Sequence, residues 1–396
     1  SEHAGRIYLV SLLTLVIFVA GYLSLLQQPG QLPPSLILIP FGILLFAGIL
    51  YRPGSGQVFT WAFRPLQPIL MAVGVILLLR ASLPSTIVRL QAALLVTGVA
   101  GCLVGILNAL WPRFDPFAFA RPADLPYQSA VINFHRATGS FVYPTVFGLF
   151  AAYVAIVGLN IGVTGFNSSQ RPTRNTVRLG TVAFLAGFTA CLLSASRAAI
   201  GALVVGAIVT TFQARLRAPS KRIVLPFLAG VAILFTLVAQ PAARTVVNAR
   251  IEDAYGQSLA FRVENTRFGW DAFLQAPFFG SGVTQSRLDN GYLLYLDAGG
   301  LIGFMVLGGL FCAVIMMRRP TEPQALALLV VLLAASTLED ALGQTLSSWY
   351  LGLAVGLSVA RALASDNRDA SDPGPRRFDS ELAIGSKAPI VSRSVR

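Results

Sequence analysis

Charge is scarce in this sequence. Asp, Glu, Lys and Arg make up 12% of its 396 residues, whereas a water-soluble domain carries roughly a quarter, so water is not its main solvent. Its two histidines, His3 and His135, are too few and too far from carboxylate clusters to build a recognisable metal site. Cys102, Cys191 and Cys312 each lie inside an apolar run, which argues against a disulfide framework. Soluble-enzyme motifs are missing too. There is no phosphate loop of the GxxxxGKS or GxxxxGKT form, no HExxH and no plausible Ser/His/Asp set. The GSG at 280–282 has no strand before it, and nothing at the start resembles a cleavable signal.

What the chain has in quantity is hydrocarbon, 55% of its residues. Eleven apolar runs with few or no charges follow one another: 7–26, 36–50, 66–79, 90–110, 141–163, 179–193, 198–212, 223–239, 292–317, 325–338 and 349–360. About 20 apolar residues span a bilayer as a helix, so the longer runs are clear spans and the shorter ones need partners. Alternating ten-residue strands are absent, which excludes an outer-membrane barrel. The expected fold is all-α, a polytopic transmembrane bundle of about 11–12 spans over 1–363, with one long extracytoplasmic loop at 241–290. The stretch 364–396, rich in Ser, Asp, Arg and Pro, reads as a disordered cytoplasmic tail.

The formal net charge is +13. In a soluble chain this would suggest nucleic acid; here the cytoplasmic bias of basic loops accounts for part of it, and no nucleic-acid partner is expected. Arg171, Arg174 and Arg178 mark one cytoplasmic loop, Arg215, Arg217, Lys221 and Arg222 a second, Arg318 and Arg319 a third, with the tail beyond Arg361. The stretch 179–212 would be about 51 Å long as a single helix, more than a bilayer, so it must be two helices turning near SASR, 194–197. That turn, the loop 111–139 and the segment 241–290 then face outward. The same parity places residue 1 outside and reads as one further helix upstream, although Arg6, Arg52 and Arg64 fit the scheme poorly. Within the long loop, Val263, Thr266, Trp270, Phe273 and Leu274 recur at helical spacing and predict a short amphipathic helix lying against the bundle. The turn residues of PFFGSG, 277–282, end it.

The outward face gathers arginine and no lysine: Arg136 before a span, Arg197 at the tip of a hairpin, and Arg244, Arg250, Arg262, Arg267 and Arg287 in the long loop. Guanidinium is a planar fork of donors that meets phosphate oxygens two at a time and stays charged at physiological pH. An arginine at a membrane edge also commonly snorkels to headgroups or pairs with an acid. Arg197 differs, because the small neighbours Ser194, Ala195, Ser196, Ala198 and Ala199 permit close helix packing and point its charge into the bundle. Among outward acids, Asp289 stands directly before Asn290 and the span from Tyr292. It is either a plain helix N-cap or a carboxylate placed to orient or deprotonate a hydroxyl nucleophile.

Four stretches together carry a likeness: RATGSFVYPTVFG at 136–148, LSASRAAIGALVVG at 193–206, RVENTRFGWDAFLQAPFFGSG at 262–282 and DNGYLLYLDAGGLIG at 289–303. In order and spacing the chain resembles the bacterial O-antigen polymerase and ligase superfamily of integral membrane glycosyltransferases, which includes Wzy-type polymerases. The resemblance implies a bundle of twelve helices and a lipid-linked glycan donor, with no nucleotide sugar, metal or other cofactor at the site. By motif, the arginines that hold the pyrophosphate of the polyprenyl carrier fall on Arg136, Arg197 and Arg262, with Arg267 able to substitute in the register. Arg287, Asn290 and Tyr292 become candidates for holding sugar or phosphate oxygens, and Asp289 the catalytic carboxylate. Ligases of this superfamily usually have His where this chain has Asp289, which favours polymerase over ligase.

The reading is therefore a metal-independent, inverting glycosyltransferase of the bacterial inner membrane with its site facing outward. Its partners would be polyprenyl-pyrophosphate-linked glycans and membrane lipids, with a flippase and a chain-length regulator as candidate protein partners. The competing readings are a transporter or flippase, which should carry ionisable groups near the midplane on broken helices, and a noncatalytic scaffold. Transport is disfavoured because no apolar run is expected to carry an interior acid, and a scaffold has no need of arginines in separate outward loops.

Overall fold

The computed structural model describes residues 2–27, 34–51, 58–80, 82–111, 113, 136–141, 143–165, 173–215, 257–282, 290–316, 323–337 and 345–371. These form α1 (Glu2–Gln27), α2 (Pro34–Leu50), α3 (Val58–Leu79), α4 (Pro84–Leu110), α5 (Pro144–Thr164) and α6 (Arg174–Leu193), then α7 (Arg197–Arg215), α8 (Gln257–Gln275), α9 (Gly291–Ile315), α10 (Pro323–Ser336) and α11 (Thr345–Ser371). No strand occurs among the described residues, and the protein is an all-α polytopic helical bundle. Ten of the eleven apolar runs lie on helices; the run 223–239 lies outside the described residues. By length and composition α4, α5, α6 and α9 are each able to cross a membrane.

Helix starts follow local chemistry. Proline opens α4 and α5, where its missing N–H is one that a first turn leaves unbonded anyway. The run expected from 141 therefore becomes helical only at Pro144. Two boundaries differ from expectation in the other direction. Helix α3 begins at Val58, ahead of the apolar run from 66, and α11 continues to Ser371, past the tail boundary expected at 364. At α11 the helix extends its hydrogen-bonded spiral into polar sequence, which hydropathy alone does not register, and at α3 it extends back through VFTWAF, an aromatic-rich stretch that Arg64 and Pro65 separate from the run. Residues 372–396 lie outside the described residues.

The core is built around α5, which is buried along its whole length and packs against α4, α6, α7, α10 and α11. Its tightest contact is with α6. A Cβ added at Gly180 would lie 2.4 Å from the amide nitrogen of Gly162, and one at Gly158 would lie 2.6 Å from that of Phe184. Between helices in hydrocarbon, where apolar side chains gain little by leaving lipid, such backbone proximity and the dispersion contacts it permits drive association. On the periphery α2, α7 and α9 turn Phe41, Leu44, Phe212 and Met305 outward, each 65% exposed or more. Large apolar side chains exposed on several helices suit lipid rather than water.

Side-chain contacts establish which helix ends lie together. The start of α5 meets the start of α11 through Phe150 and Tyr350, whose ring centroids are 5.0 Å apart. At the same end, Asn108 near the end of α4 bonds Thr138, and Arg136 bonds the turn between α6 and α7. At the opposite end Arg80 reaches the carbonyl of Ser24, and Arg361, buried in α11, donates to Gln91 of α4 at 3.2 Å.

Among the described residues, one break interrupts the regular helices. Within α9, Gly300 has φ 61° and ψ −169°, a region open essentially only to glycine. The buried Asp297 lies three residues before it, which overturns the expectation that no apolar run holds an interior acid.

The α5–α6 contact predicts that Gly180→Val lowers folding stability by about 3 kcal/mol or more through overpacking against backbone that cannot retreat. Gly308→Ala, where no atom stands within 4 Å of the added carbon, should be neutral or slightly stabilising. Thermal unfolding of both variants in detergent checks the contrast.

Candidate functional site

The segment 136–141 enters the bundle between α4 and the α6–α7 turn. Asn108 Oδ1 accepts from the Thr138 hydroxyl at 3.0 Å and from its amide at 3.4 Å, and Ala137 N–H donates to Leu193 O at 2.9 Å. Gly139 takes φ 53° against Phe147, and Phe141 stacks on Phe150 at 5.0 Å. The half-buried Arg136 is thereby held over the turn. Its Nε donates to Ser194 O at 2.8 Å and its Nη2 to Ala195 O at 3.4 Å.

The turn itself is tightly specified. Ser194 Oγ donates to Cys191 O at 2.6 Å and accepts from Ser196 N–H at 3.3 Å, while Ser196 Oγ accepts from Ala199 N–H at 3.2 Å, an N-cap for α7. Between them Ala195 takes φ 50°, a left-handed conformation uncommon outside glycine. Arg197 is the first residue of α7 and is exposed. Of its small neighbours Ser194, Ser196, Ala198 and Ala199 are buried and Ala195 is half-buried, with Ser194 and Ala199 against Gly148, but the guanidinium is not directed into the core. The first position of a helix that packs through Ala198, Ala199 and Ala202 faces away from the contact. Arg136 and Arg197 are thus brought to one turn, with the positive end of the α7 dipole beside them.

Helix α8 carries Arg262 and Arg267. The side chain of Arg262 lies outside the described residues, and Arg267 is exposed. The helix packs against α9, though not by the expected stripe. Val263, Thr266, Trp270 and Leu274 are exposed and Phe273 is half-buried, whereas Gly269 is buried with Asn265 and Ala272 beside it. The small residues allow close helix approach, which leaves Val263, Trp270 and Leu274 on the far side, where an interfacial helix meets lipid.

At the start of α9 the cap is Asn290, not Asp289. Asn290 Oδ1 accepts from the amides of Tyr292 at 3.0 Å and Leu293 at 3.2 Å, and Nδ2 donates to Thr337 O at 3.1 Å. The Tyr292 hydroxyl donates to Leu333 O. These two candidate substrate ligands therefore tie α9 to the end of α10. Asp289 and Arg287 lie outside the described residues. The span parity puts Arg64 on the outward side, where a basic residue fits the cytoplasmic bias poorly, and sequence reasoning left it out of the candidate set. It stands on α3, four residues before Pro68, which packs on Gly352 of α11, and its Nε is buried with no hydrogen-bond partner among the described residues. Its departure from the cytoplasmic bias of basic residues was the signal in the sequence that could have singled it out.

Residues 182–307 match the O-antigen ligase family model, Wzy_C. The matched region runs from α6 through the Arg197 turn and α8 to beyond the break in α9, so it holds every candidate site residue except Arg136. The match spans less than half of the chain and supports a likeness to the O-antigen polymerase and ligase superfamily. No curated protein matches the chain.

Loss of the cap in Asn290→Ala should cost about 1 kcal/mol of stability, and Asn290→Ser should recover most of it. Denaturation of both variants in detergent measures the difference; equal stability of Asn290→Ala and wild type would remove the cap from the account of α9.

Proposed function

We propose that the protein joins oligosaccharide repeat units carried on polyprenyl pyrophosphate into a surface polysaccharide, an O-antigen, capsule or exopolysaccharide, at the outer face of the bacterial cytoplasmic membrane. The observation that carries this reading is the pairing of Arg136 and Arg197 at one rigid turn, within a bundle whose Wzy_C-type region also bears Arg262, Arg267 and Asp289.

In the proposed reaction a hydroxyl of one lipid-linked repeat unit attacks the anomeric carbon of the growing glycan. The bond from that carbon to the pyrophosphate oxygen breaks, and the electron pair leaves with the pyrophosphate. Asp289 orients the hydroxyl and accepts its proton, and a single displacement inverts the anomeric centre. The charge that grows on the leaving group is met by Arg197 and Arg262, with Arg267 and Arg287 as further donors. Fixed donors in a site with little water offer their stabilisation without reorganisation, which is commonly the largest catalytic term. Arg136 contributes by holding the Arg197 turn through two of its own N–H groups.

The ligase reading, transfer of a finished glycan to a different acceptor, draws support from the matched family's description. Against it stands Asp289 at the position where ligases of the superfamily usually have His. The transporter reading gains the interior acid Asp297 and the break at Gly300, features that carriers use to bind ions. Here, however, the groups freed by the break are bonded to the chain itself. The amides of Leu301 and Ile302 donate to Pro277 O and Phe278 O.

With purified lipid-linked repeat units, Arg197→Ala or Arg262→Ala should slow chain extension roughly 100–1000-fold while the protein remains folded. Undiminished turnover in both would remove the arginine clamp. Asp289→Asn should be similarly impaired, and full activity there would take the proton-accepting role from Asp289. Size analysis of the wild-type product separates the two transferase readings: a ladder supports polymerisation, and one transferred block would replace it with ligation.

A further inference from the structure

The turn 276–282 is woven into the break of α9. Ser281 N–H donates to Asp297 O at 2.7 Å and Gly282 N–H to Ala298 O at 3.0 Å, while Leu301 N–H donates to Pro277 O at 2.8 Å and Ile302 N–H to Phe278 O at 3.1 Å. The Ser281 hydroxyl stands 2.8 Å from Asp297 Oδ1 and 3.1 Å from Asp297 O. Two glycines make this approach possible. A Cβ on Gly280, at φ 69°, would lie 2.5 Å from Ala298 O, and one on Gly300 would lie 2.4 Å from Phe278 O. Asp297 is 1% exposed inside a helix apolar enough to span a membrane, where a carboxyl is expensive to keep. A role in holding backbone alone does not need that group, because four main-chain bonds already join the segments.

We infer that the Ser281–Asp297 clasp is a positioning device that sets the angle between α8 and the first half of α9. The inference rests on the functional reading above, in which Arg262 and Arg267 act with Asp289. The clasp is the vertex from which two helical legs depart. At 1.5 Å per residue, Arg267 lies roughly 13 Å along α8 from the turn, and Asn290 roughly 10 Å along α9 from Asp297. A swing of about 10° at the vertex would then move Arg267 by about 2 Å, and misplacement by about 1 Å can cost on the order of 100-fold in rate. A hydroxyl–carboxyl bond resists such a swing because it is directional and its acceptor, the Asp297 carboxyl, is buried away from water. Ser281 and Asp297 touch neither donor nor acceptor in this account; they act through the arginines of α8.

The test is Ser281→Ala, with Ser281→Thr as the variant that keeps the hydroxyl. Spin labels at Glu264→Cys on α8 and Thr337→Cys beside the α9 cap, in a background with Cys312→Ser, report the angle by their distance distribution. Ser281→Ala should broaden or shift that distribution. In the unlabelled protein it should lower kcat about tenfold or more, with KM for the lipid-linked donor within about twofold and the thermal midpoint close to wild type; Ser281→Thr should retain both angle and rate. An unchanged distribution in Ser281→Ala overturns the inference, as does a loss of kcat matched by a loss of thermal stability, which is what a merely structural bond would give. The distance readout needs no turnover, so it stands apart from the arginine variants. If Arg197→Ala is inactive and Ser281→Ala is unaffected, the clasp fails and the functional reading survives. If Arg197→Ala is fully active while Ser281→Ala alters the angle, the reading fails and the coupling of the helices remains.

Discussion

A backbone amide or carbonyl inside hydrocarbon has no water to turn to, so any departure from regular helix must find its partners in the protein itself. Helix α9 departs at Gly300, and the turn after α8 supplies what the departure removes: carbonyls for the amides of Leu301 and Ile302, and amides for the carbonyls of Asp297 and Ala298. The requirement fixes more than the break. By binding the turn to α9 it brings an arginine-bearing helix alongside the span whose first residues follow Asp289, and it does so at a definite place along both.

A comparable constraint governs the other half of the site. Helix α5 is enclosed by its neighbours and meets α6 through glycine surfaces, so the end of α6 has little freedom relative to the start of α5. The segment 136–141 uses that rigidity. Asn108, Phe147 and the Leu193 carbonyl locate it, and Arg136 passes the restraint to the turn that presents Arg197. Cations held on rigid elements can stabilise a departing diphosphate because they need not move to meet the new charge. The positions of Arg136 and Arg197 are thus consequences of helix packing, and the proposed chemistry is a consequence of those positions.

Much of the fold was legible in the sequence, because hydrocarbon solvent imposes a crude and readable rule on length and polarity. The turn at 194–196 followed from the impossibility of a single span over 179–212, and α8 followed from spacing. What escaped was decided by contacts between segments distant in sequence. The apolar stripe of α8 looked like a packing face, yet Val263, Trp270 and Leu274 are exposed and Gly269 is buried, since small size counts for more than hydrophobicity when the surroundings are already apolar. Asp297 was hidden by its neighbours: in LLYLDAGGLIG one acid among apolar residues hardly changes the hydropathy, and only the paired glycines at 299–300 hinted that the helix stops there. Asp289 and Asn290 are each good caps by composition, so the choice between them required the geometry. The arginine motifs were visible by resemblance, but the strut formed by Arg136 was not, because nothing in a sequence says which carbonyls a guanidinium will meet.

The central claim is that arginines from separate segments converge on one diphosphate. A structure of the protein with bound polyprenyl diphosphate tests it most directly. The account predicts phosphate oxygens within hydrogen-bond distance of Arg197 and of Arg262 or Arg267 at once, with Asp289 on the side of the anomeric carbon. A diphosphate seated away from the α6–α7 turn, with those guanidinium groups turned to lipid headgroups or to acids of their own, would contradict it.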